Sequence, residues 1–186
     1  MLSAQAAGFD SQDVFDELRL DPYYRFTASR HPKLAHYFHA AIARCGEQRC
    51  ALVHGDWSPK NMIVDGPRLT AIDFEVIHFG DPSFDSAFLL NHLLLKSFHQ
   101  PQHAPRLLEA ARTYWDGIRP VMDLNEGTLL HLPLLLLARV DGKSPAEYIR
   151  EEAVKKRVRE FALELLHSSG ARVEDALAGR SWSGLN

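Results

Sequence analysis

Three side chains that carry oxygen ligands, Asp56, Asn61 and Asp73, follow one another closely in the sequence. Asp56 and Asn61 belong to the segment HGDWSPKN, which begins at His54, and Asp73 follows twelve residues after Asn61 in the segment IDFE. Phosphoryl transfer from ATP uses one carboxylate to accept the proton of the attacking hydroxyl. It also uses a second carboxylate and an amide oxygen to hold Mg²⁺. The three side chains are of the types that this chemistry requires.

The order of these residues matches the catalytic motifs of protein kinases, which carry H-R-D, four further residues and N, and later D-F-G. This chain carries H-G-D, four further residues and N, and later D-F-E, so that Glu75 stands in the place of the glycine. Each element is common by itself, since an isolated aspartate more often caps a turn. Their joint occurrence, with the spacing of a β-hairpin between Asn61 and Asp73, predicts phosphoryl transfer.

Short apolar runs beside the polar segments predict the strands that position them. These runs are CALV at 50–53, MIV at 62–64 and LTAI at 69–72. The tripeptide Asp65-Gly66-Pro67 between the last two runs predicts the turn of a β-hairpin. Because a hairpin brings its two ends together, we expect the three oxygen-bearing side chains to converge at one end of it. Functional residues commonly lie in such loops.

Elsewhere the apolar residues recur with helical periodicity, which predicts a mainly helical protein. One helix is predicted over 12–20, ending before Asp21-Pro22, and a second from Pro32 to Gly46. The later helices are predicted at 84–98, 105–118, 126–140 and 145–167, with His92 and His131 in the core. We interpret residues 1–186 as a single domain with β structure confined to 50–74. Its parts are leading helices (1–49), a catalytic loop and β-hairpin (50–80) and a helical subdomain (81–186).

The segments LVHGDWSPKNMIV at 52–64, IDFE at 72–75 and GDPSFDSA at 80–87 resemble the catalytic half of the aminoglycoside phosphotransferase and choline kinase-like family. The similarity extends back to FDELRLDPYY at 15–24 and forward to LARVDGKSP at 137–145, so it covers most of the chain. The resemblance implies an α+β, mostly helical fold like the carboxy-terminal lobe of protein kinases. It also implies Mg²⁺ as cofactor and ATP as phosphate donor.

The resemblance implies a role for each matched residue. Asp56 is the catalytic base, Asn61 and Asp73 bind the metal, and Asp85 supports the catalytic loop from behind. We assign His54 to the scaffold of the loop, as a neutral imidazole that fills its base. The sequence identifies no substrate-binding residue, and the expected acceptor is a small hydroxylated metabolite.

Two parts of the kinase machinery have no counterpart in the sequence. None of the eleven glycines forms a G-x-G pair, so no glycine-rich phosphate loop can be drawn. Lys33 is the only lysine before the catalytic loop, and it follows Pro32 in a helical pattern rather than in a strand. We therefore expect a catalytic lobe without its amino-terminal nucleotide lobe, whether by truncation, as a short gene product or as a separate chain. A catalytic lobe of this kind would be inactive alone and would expose apolar surface. We therefore expect its partner to be the missing nucleotide lobe or a second copy of the chain.

Composition and charge exclude several other classes of protein. The 186 residues are 46% hydrophobic and 24% charged, as in globular domains, and the net charge of −3 gives no reason to expect a nucleic acid or an anionic membrane as partner. The most apolar run, at 129–138, is about half as long as a membrane span, and residues 1–10 do not resemble a signal peptide. Two cysteines at a spacing unlike metal or redox motifs predict free thiols and a cytoplasmic protein.

Two alternatives to a kinase lobe stay open at this stage. The first is a non-catalytic remnant that binds a ligand or a partner, which the missing nucleotide lobe favours. The second is a metal-dependent phosphoesterase with His54, Asp56, Asp73 and Asp81, although such sites usually have more clustered ligands. Residues 99–186 contain twelve acidic and twelve basic side chains. Without an acidic excess, a neutral or anionic acceptor is favoured over a polycationic aminoglycoside.

Overall fold

The computed structural model describes residues 12–178 and shows a mainly helical protein, with 67% helix and small antiparallel sheets. The α-helices are α1 (Gln12–Phe15), α2 (Phe26–Arg30), α3 (Ala35–Glu47), α4 (Pro82–His99), α5 (Ala104–Ile118), α6 (Asn125–Asp141), α7 (Glu152–His167) and α8 (Val173–Leu177). Both ends of the predicted domain, including the segment 1–10 that we compared with signal peptides, lie outside the described residues. Between residues 12 and 178, no helix combines the length and apolarity needed to cross a bilayer.

The strands form two antiparallel pairs. They are β1 (Ala51–Val53), β2 (Met62–Asp65), β3 (Arg68–Ala71) and β4 (His78–Gly80), with β1 paired to β4 and β2 paired to β3. The predicted β2–β3 hairpin is confirmed, with Asp65 opposite Arg68 across the turn. Our expectation that β structure ends at residue 74 was wrong, because β4 pairs with β1. The run His78–Gly80 has no apolar pattern of its own, and its pairing with β1 makes it a strand.

The predicted end of the first helix at Asp21-Pro22 was also wrong. A π-helical segment, Asp16–Arg25, joins α1 to α2 and contains Pro22. The wider turn of a π-helix relaxes the hydrogen-bonding pattern that proline would break in an α-helix. Buried Tyr23 and Tyr24 fix the segment against the core. The last long helix begins at Glu152 rather than at Pro145, because residues 142–151 form turns and extended chain.

The core lies where α4 and α6 pack against each other, and apolar side chains of the other helices close around this pair. His131 of α6 is fully buried, as predicted, and its Nδ1 lies 2.7 Å from the Tyr24 hydroxyl. His92 of α4 lies at the edge of the core, where it is partly buried with its ring 5.1 Å from that of Phe88. Cys45 is buried and Cys50 is exposed, and both are free thiols as predicted.

Candidate active site

The segment His54–Asn61 forms a loop between β1 and β2, which we call the catalytic loop. It ends in a 3₁₀ turn, Pro59–Asn61, where the Asn61 N–H donates to the Ser58 carbonyl at 2.9 Å. Gly55 has a φ of +75°, and a Cβ added there would lie 2.9 Å from the Val76 carbonyl oxygen. Both the left-handed backbone and the close approach of Val76 require glycine at this position.

Gly55→Ala should destabilise the protein by about 1–3 kcal/mol, because it adds a steric clash to a strained φ. Urea denaturation measures this loss. Gly66→Ala is the matched control for φ alone, since Gly66 has a φ of +55° and open space around it, and about 1 kcal/mol is expected. Gly46 lies in α3 with open space, so Gly46→Ala should leave stability unchanged or raise it. Equal losses at Gly55 and Gly66 would contradict the close approach of Val76.

Asp85, in the first turn of α4, holds the catalytic loop through two backbone hydrogen bonds. Its Oδ2 accepts from the N–H of His54 at 2.6 Å, and its Oδ1 accepts from the N–H of Gly55 at 2.9 Å. Burial raises the pKa of Asp85 from 3.8 to about 6, against the lowering effect of these two hydrogen bonds, and the nearby charge of Asp56 adds to the rise. The loop is thus held by a carboxyl group that changes charge near pH 6.

The raised pKa of Asp85 has a consequence for stability. Because the folded protein favours the protonated form, Asp85 contributes stability that is present below about pH 4 and is lost as the pH rises through about 6. The unfolding free energy of the wild type should therefore fall by about 1–3 kcal/mol relative to that of Asp85→Asn between pH 4 and pH 7. Urea denaturation at a series of pH values gives this difference. Parallel pH profiles for the two proteins would contradict the raised pKa.

His54 links the catalytic loop to the chain that follows β3. Its Nδ1 accepts from the Asp56 N–H at 3.3 Å, so the neutral ring carries its proton on Nε2, which donates to the Ile72 carbonyl at 2.9 Å. The ring is buried and lies 5.5 Å from the Trp57 ring and 5.0 Å from the Phe74 ring. These contacts fit the scaffold role that we predicted for His54.

Asp56 is 5% exposed, and its two carboxylate oxygens have different surroundings. Oδ2 is contacted by Arg19 Nη2 at 3.1 Å, by Lys60 Nζ at 2.9 Å and by Asn61 Nδ2 at 3.0 Å. Among residues 12–178 no side chain or backbone group forms a hydrogen bond or ion pair with Oδ1. Three donors therefore fix the orientation of the carboxylate and leave Oδ1 as its free acceptor.

Asn61 is buried with its amide group turned toward Asp56. Its Nδ2 donates to the Asp56 carbonyl at 2.9 Å as well as to the Asp56 carboxylate. This arrangement engages the amide hydrogens and leaves Oδ1 of Asn61 for another partner. The structure thus brings Asp56 and Asn61 into direct contact.

Asp73 follows β3 and is exposed, with a φ of +68° that is unusual for a residue other than glycine. The preceding residue, Ile72, donates its N–H to the Asn61 carbonyl at 3.0 Å. This bond joins the residue before β2 to the residue after β3, and the backbone of Asp73 follows directly after it. The left-handed backbone marks a strained residue at the candidate site, where such strain is often found.

The donor set around Asn61 fits Mg²⁺ rather than a metal that needs a full protein cage. Within residues 12–178, no group of three or more His, Cys, Asp or Glu side chains could hold a metal ion. Mg²⁺ commonly uses one or two protein oxygens and completes its shell with water and substrate phosphates. The side chains of Asn61 and Asp73 offer an amide oxygen and an exposed carboxylate, which are of the types that such a site uses. Zinc or a two-metal hydrolytic centre would need more ligands.

Asp81 takes no part in this site. It precedes α4 and accepts from the Ser83 N–H at 3.0 Å, and its Oδ2 lies 2.7 Å from Arg44 Nε. Burial acts to raise the pKa of Asp81, but hydrogen bonds from His131 and Ser83 outweigh it and lower the pKa to about 2. A carboxylate committed to capping a helix and to an ion pair does not support the phosphoesterase alternative.

The site also contains Arg19, a residue of the π-helical segment that is 8% exposed and that we did not predict from the sequence. Its Nε donates to the Gly55 carbonyl at 2.7 Å, and its Nη2 pairs with Asp56. Thirty-six residues separate Arg19 from Gly55, so no local spacing could reveal the contact. One feature of the sequence could have indicated a buried arginine: Arg19 stands between Leu18 and Leu20, and the helix buries Leu20.

A helical α+β scaffold thus carries a loop that orients a buried aspartate beside an asparagine, as phosphotransferases do. The model of the phosphotransferase enzyme family, abbreviated APH, matches residues 4–124. The match covers more than half of the 186 residues, so the protein belongs to this family. The resemblance inferred from the sequence is confirmed. Members of the family generally use ATP and Mg²⁺. A search among curated proteins found no match.

Proposed function

We propose that this protein is the catalytic lobe of a small-molecule kinase that transfers the γ-phosphate of ATP to a hydroxyl group. The geometry of Asp56 carries the proposal. Three donors hold its Oδ2, and its Oδ1 has no partner among the described residues. A hydroxyl that donates to Oδ1 would be oriented for attack on the phosphate, and Asp56 would accept its proton.

Asn61 and Asp73 would hold Mg²⁺ through their side-chain oxygens. The bound ion supplies positive charge that neutralises the phosphate oxygens of ATP. Two contacts support this assignment: the Asp56 carbonyl accepts from the amide of Asn61, and the Ile72 N–H donates to the Asn61 carbonyl one residue before Asp73. His54 and Asp85 keep the loop in this conformation through their backbone contacts.

We propose that catalysis also needs a nucleotide lobe outside these 186 residues. The sequence lacks a glycine-rich loop, and phosphoryl transfer depends on groups that clamp the phosphates. Exposed apolar side chains on the β2–β3 hairpin support a partner at this end, since Ile63 is 53% and Val64 is 69% exposed. A second copy of the chain is the other partner that such a surface could accept.

Titration with Mg²⁺ and ATP separates this proposal from the remnant alternative. We expect calorimetry to show Mg²⁺-dependent binding of ATP to the chain. Asn61→Ala should weaken binding about tenfold, because a hydrogen-bonded or ligated charged group contributes on the order of 1.5–3 kcal/mol. Asp65→Asn is the control, since Asp65 lies exposed at the end of β2. If the wild type binds no ATP at millimolar concentrations, the non-catalytic remnant is the better description.

A further inference from the structure

Four side chains that lie close to one another present hydrogen-bond donors, and we call them the donor cluster. They are His92 and Lys96 of α4, Arg139 of α6 and Tyr148. The ammonium of Lys96 lies 5.3 Å from the centre of the Tyr148 ring. Burial raises the pKa of Tyr148, and the charge of Arg139 opposes that rise, so the guanidinium also acts on Tyr148. The four side chains thus form one electrostatic group.

Two donors of the cluster lack a partner. Within residues 12–178, neither the Nε–H of Arg139 nor the Tyr148 hydroxyl has a hydrogen-bond partner, although both atoms are buried. The other end of the Arg139 guanidinium donates to the Tyr23 hydroxyl at 3.2 Å and to the Ser144 carbonyl. Buried donors without acceptors cost free energy, and a water, an ion or a ligand can supply the missing acceptor. The guanidinium of Arg139 can only donate and the Tyr148 hydroxyl can donate, so one acceptor group would suit both.

The donor cluster continues the catalytic site along one face of α4. Phe88, His92 and Lys96 are spaced at four-residue steps and therefore share a face. The Arg19 guanidinium, which contacts Asp56, lies 5.9 Å from the centre of the Phe88 ring, and the Phe88 and His92 rings are 5.1 Å apart. The charge of Asp56 also acts on the pKa of His92, so the donor cluster begins near the Asp56 carboxylate.

The charges around His92 are mainly positive. Burial, together with the charges of Arg139, Lys96 and Lys60, lowers the pKa of His92 to about 3, and the charge of Asp56 opposes this shift. His92 is therefore neutral at pH 7 and can donate one N–H. Three cations and one carboxylate, that of Asp56, thus act on this neutral donor.

We propose that the donor cluster binds an anionic group, a carboxylate or a phosphate ester, on the acceptor molecule whose hydroxyl lies at Asp56. The inference rests on the proposed kinase function and specifies its substrate class as anionic hydroxylated metabolites. A cationic acceptor would meet Lys96 and Arg139 as like charges, and a neutral one would leave their charges uncompensated.

Binding of a matched series of acceptors to the nucleotide-free chain tests the proposal. D-gluconate, D-glucitol and D-glucamine have the same six-carbon chain and differ in charge, and inorganic phosphate probes the anion alone. We expect calorimetry to show that gluconate and phosphate bind at least tenfold more tightly than glucitol and glucamine. Lys96→Gln should weaken gluconate binding about tenfold to a hundredfold. Lys156→Gln is the control, because Lys156 is exposed and pairs only loosely with Glu160, at 3.8 Å.

Arg139→Gln should have a similar effect, and thermal melting shows whether this variant is folded, since Arg139 also holds the Ser144 carbonyl. Lys96→Gln keeps the test decisive if Arg139→Gln unfolds. Absence of binding by both gluconate and phosphate, or equal binding of all three six-carbon compounds, would overturn the proposal. Unchanged gluconate binding by Lys96→Gln would also overturn it.

Two further experiments are needed. One identifies which anion the donor cluster binds, and the other distinguishes failure of the kinase proposal from failure of the donor-cluster proposal. Gluconate should still bind when Mg²⁺ and the non-hydrolysable analogue AMP-PNP saturate the protein, whereas its displacement would assign the donors to the nucleotide phosphates. Asp56→Asn should retain gluconate binding. Anion binding without any transfer in a chain supplied with a nucleotide lobe would refute the kinase function alone. Transfer with equal KM for gluconate and glucitol would refute the donor cluster alone.

Discussion

The 186-residue chain alone should consume ATP at least about 10³-fold more slowly than the same chain fused to the nucleotide lobe of another family member. Positioning and charge stabilisation provide nearly all of the catalysis in phosphoryl transfer, and a phosphate clamp supplies much of both. Coupled detection of ADP with D-gluconate and a panel of hydroxylated metabolites measures the two rates.

The nucleotide lobe alone is the control for this experiment, and it should also be inactive. Rapid ATP consumption by the unfused chain would show that its phosphate-binding groups lie within the 186 residues. Such a result would contradict the predicted need for a second lobe, while leaving the role of Asp56 to the next experiment.

Asp56→Asn in the fused enzyme should lower the rate of transfer by about 10²–10⁴-fold, the usual contribution of a positioned general base. The amide cannot accept the hydroxyl proton, although its size lets the loop keep its shape. Binding of Mg²⁺ and ATP should change little, because Asn61 and Asp73 are the proposed metal ligands. Steady-state kinetics and calorimetry on the same preparation give both quantities.

Asp65→Asn is the matched control for this substitution, since it makes the same chemical change at an exposed residue at the end of β2. It should leave the rate within about twofold of the wild type, as surface substitutions usually do. A wild-type rate in Asp56→Asn would remove Asp56 from the proposed chemistry. Loss of nucleotide binding in that variant would instead indicate a structural role for Asp56.

Local patterns were sufficient to predict the parts of the structure that depend on neighbouring residues. The turn signal at Asp65-Gly66-Pro67 specified the β2–β3 hairpin, and the apolar periodicity from Leu34 to Ile42 specified α3. In the hairpin the first residue of β2 pairs with the last residue of β3. Asn61, just before β2, and Asp73, shortly after β3, therefore belong to the same end of the hairpin. The kinase-like spacing placed the polar loop correctly between β1 and β2.

Features that depend on tertiary contacts could not be predicted in this way. The β4 strand exists through its pairing with β1, and the π-helical segment passes through Pro22 and buries Tyr23 and Tyr24 in the core. Arg19 reaches the catalytic loop from a distant segment, and sequence spacing carries no information about such a contact. His92 follows apolar neighbours in the sequence, but the face that it shares with Lys96 lies at the edge of the core.

Replacement of Mg²⁺ by paramagnetic Mn²⁺ tests most directly whether Asp56, Asn61 and Asp73 form one phosphoryl-transfer site. With AMP-PNP bound to the fused enzyme, Mn²⁺ shortens the relaxation of nearby nuclei and removes their amide signals from the NMR spectrum. We predict that the signals of Asn61, Asp73 and Asp56 disappear first, while that of Glu174 in α8 persists. Strong broadening at Glu174, with the signals of Asn61 and Asp73 intact, would contradict the proposed site.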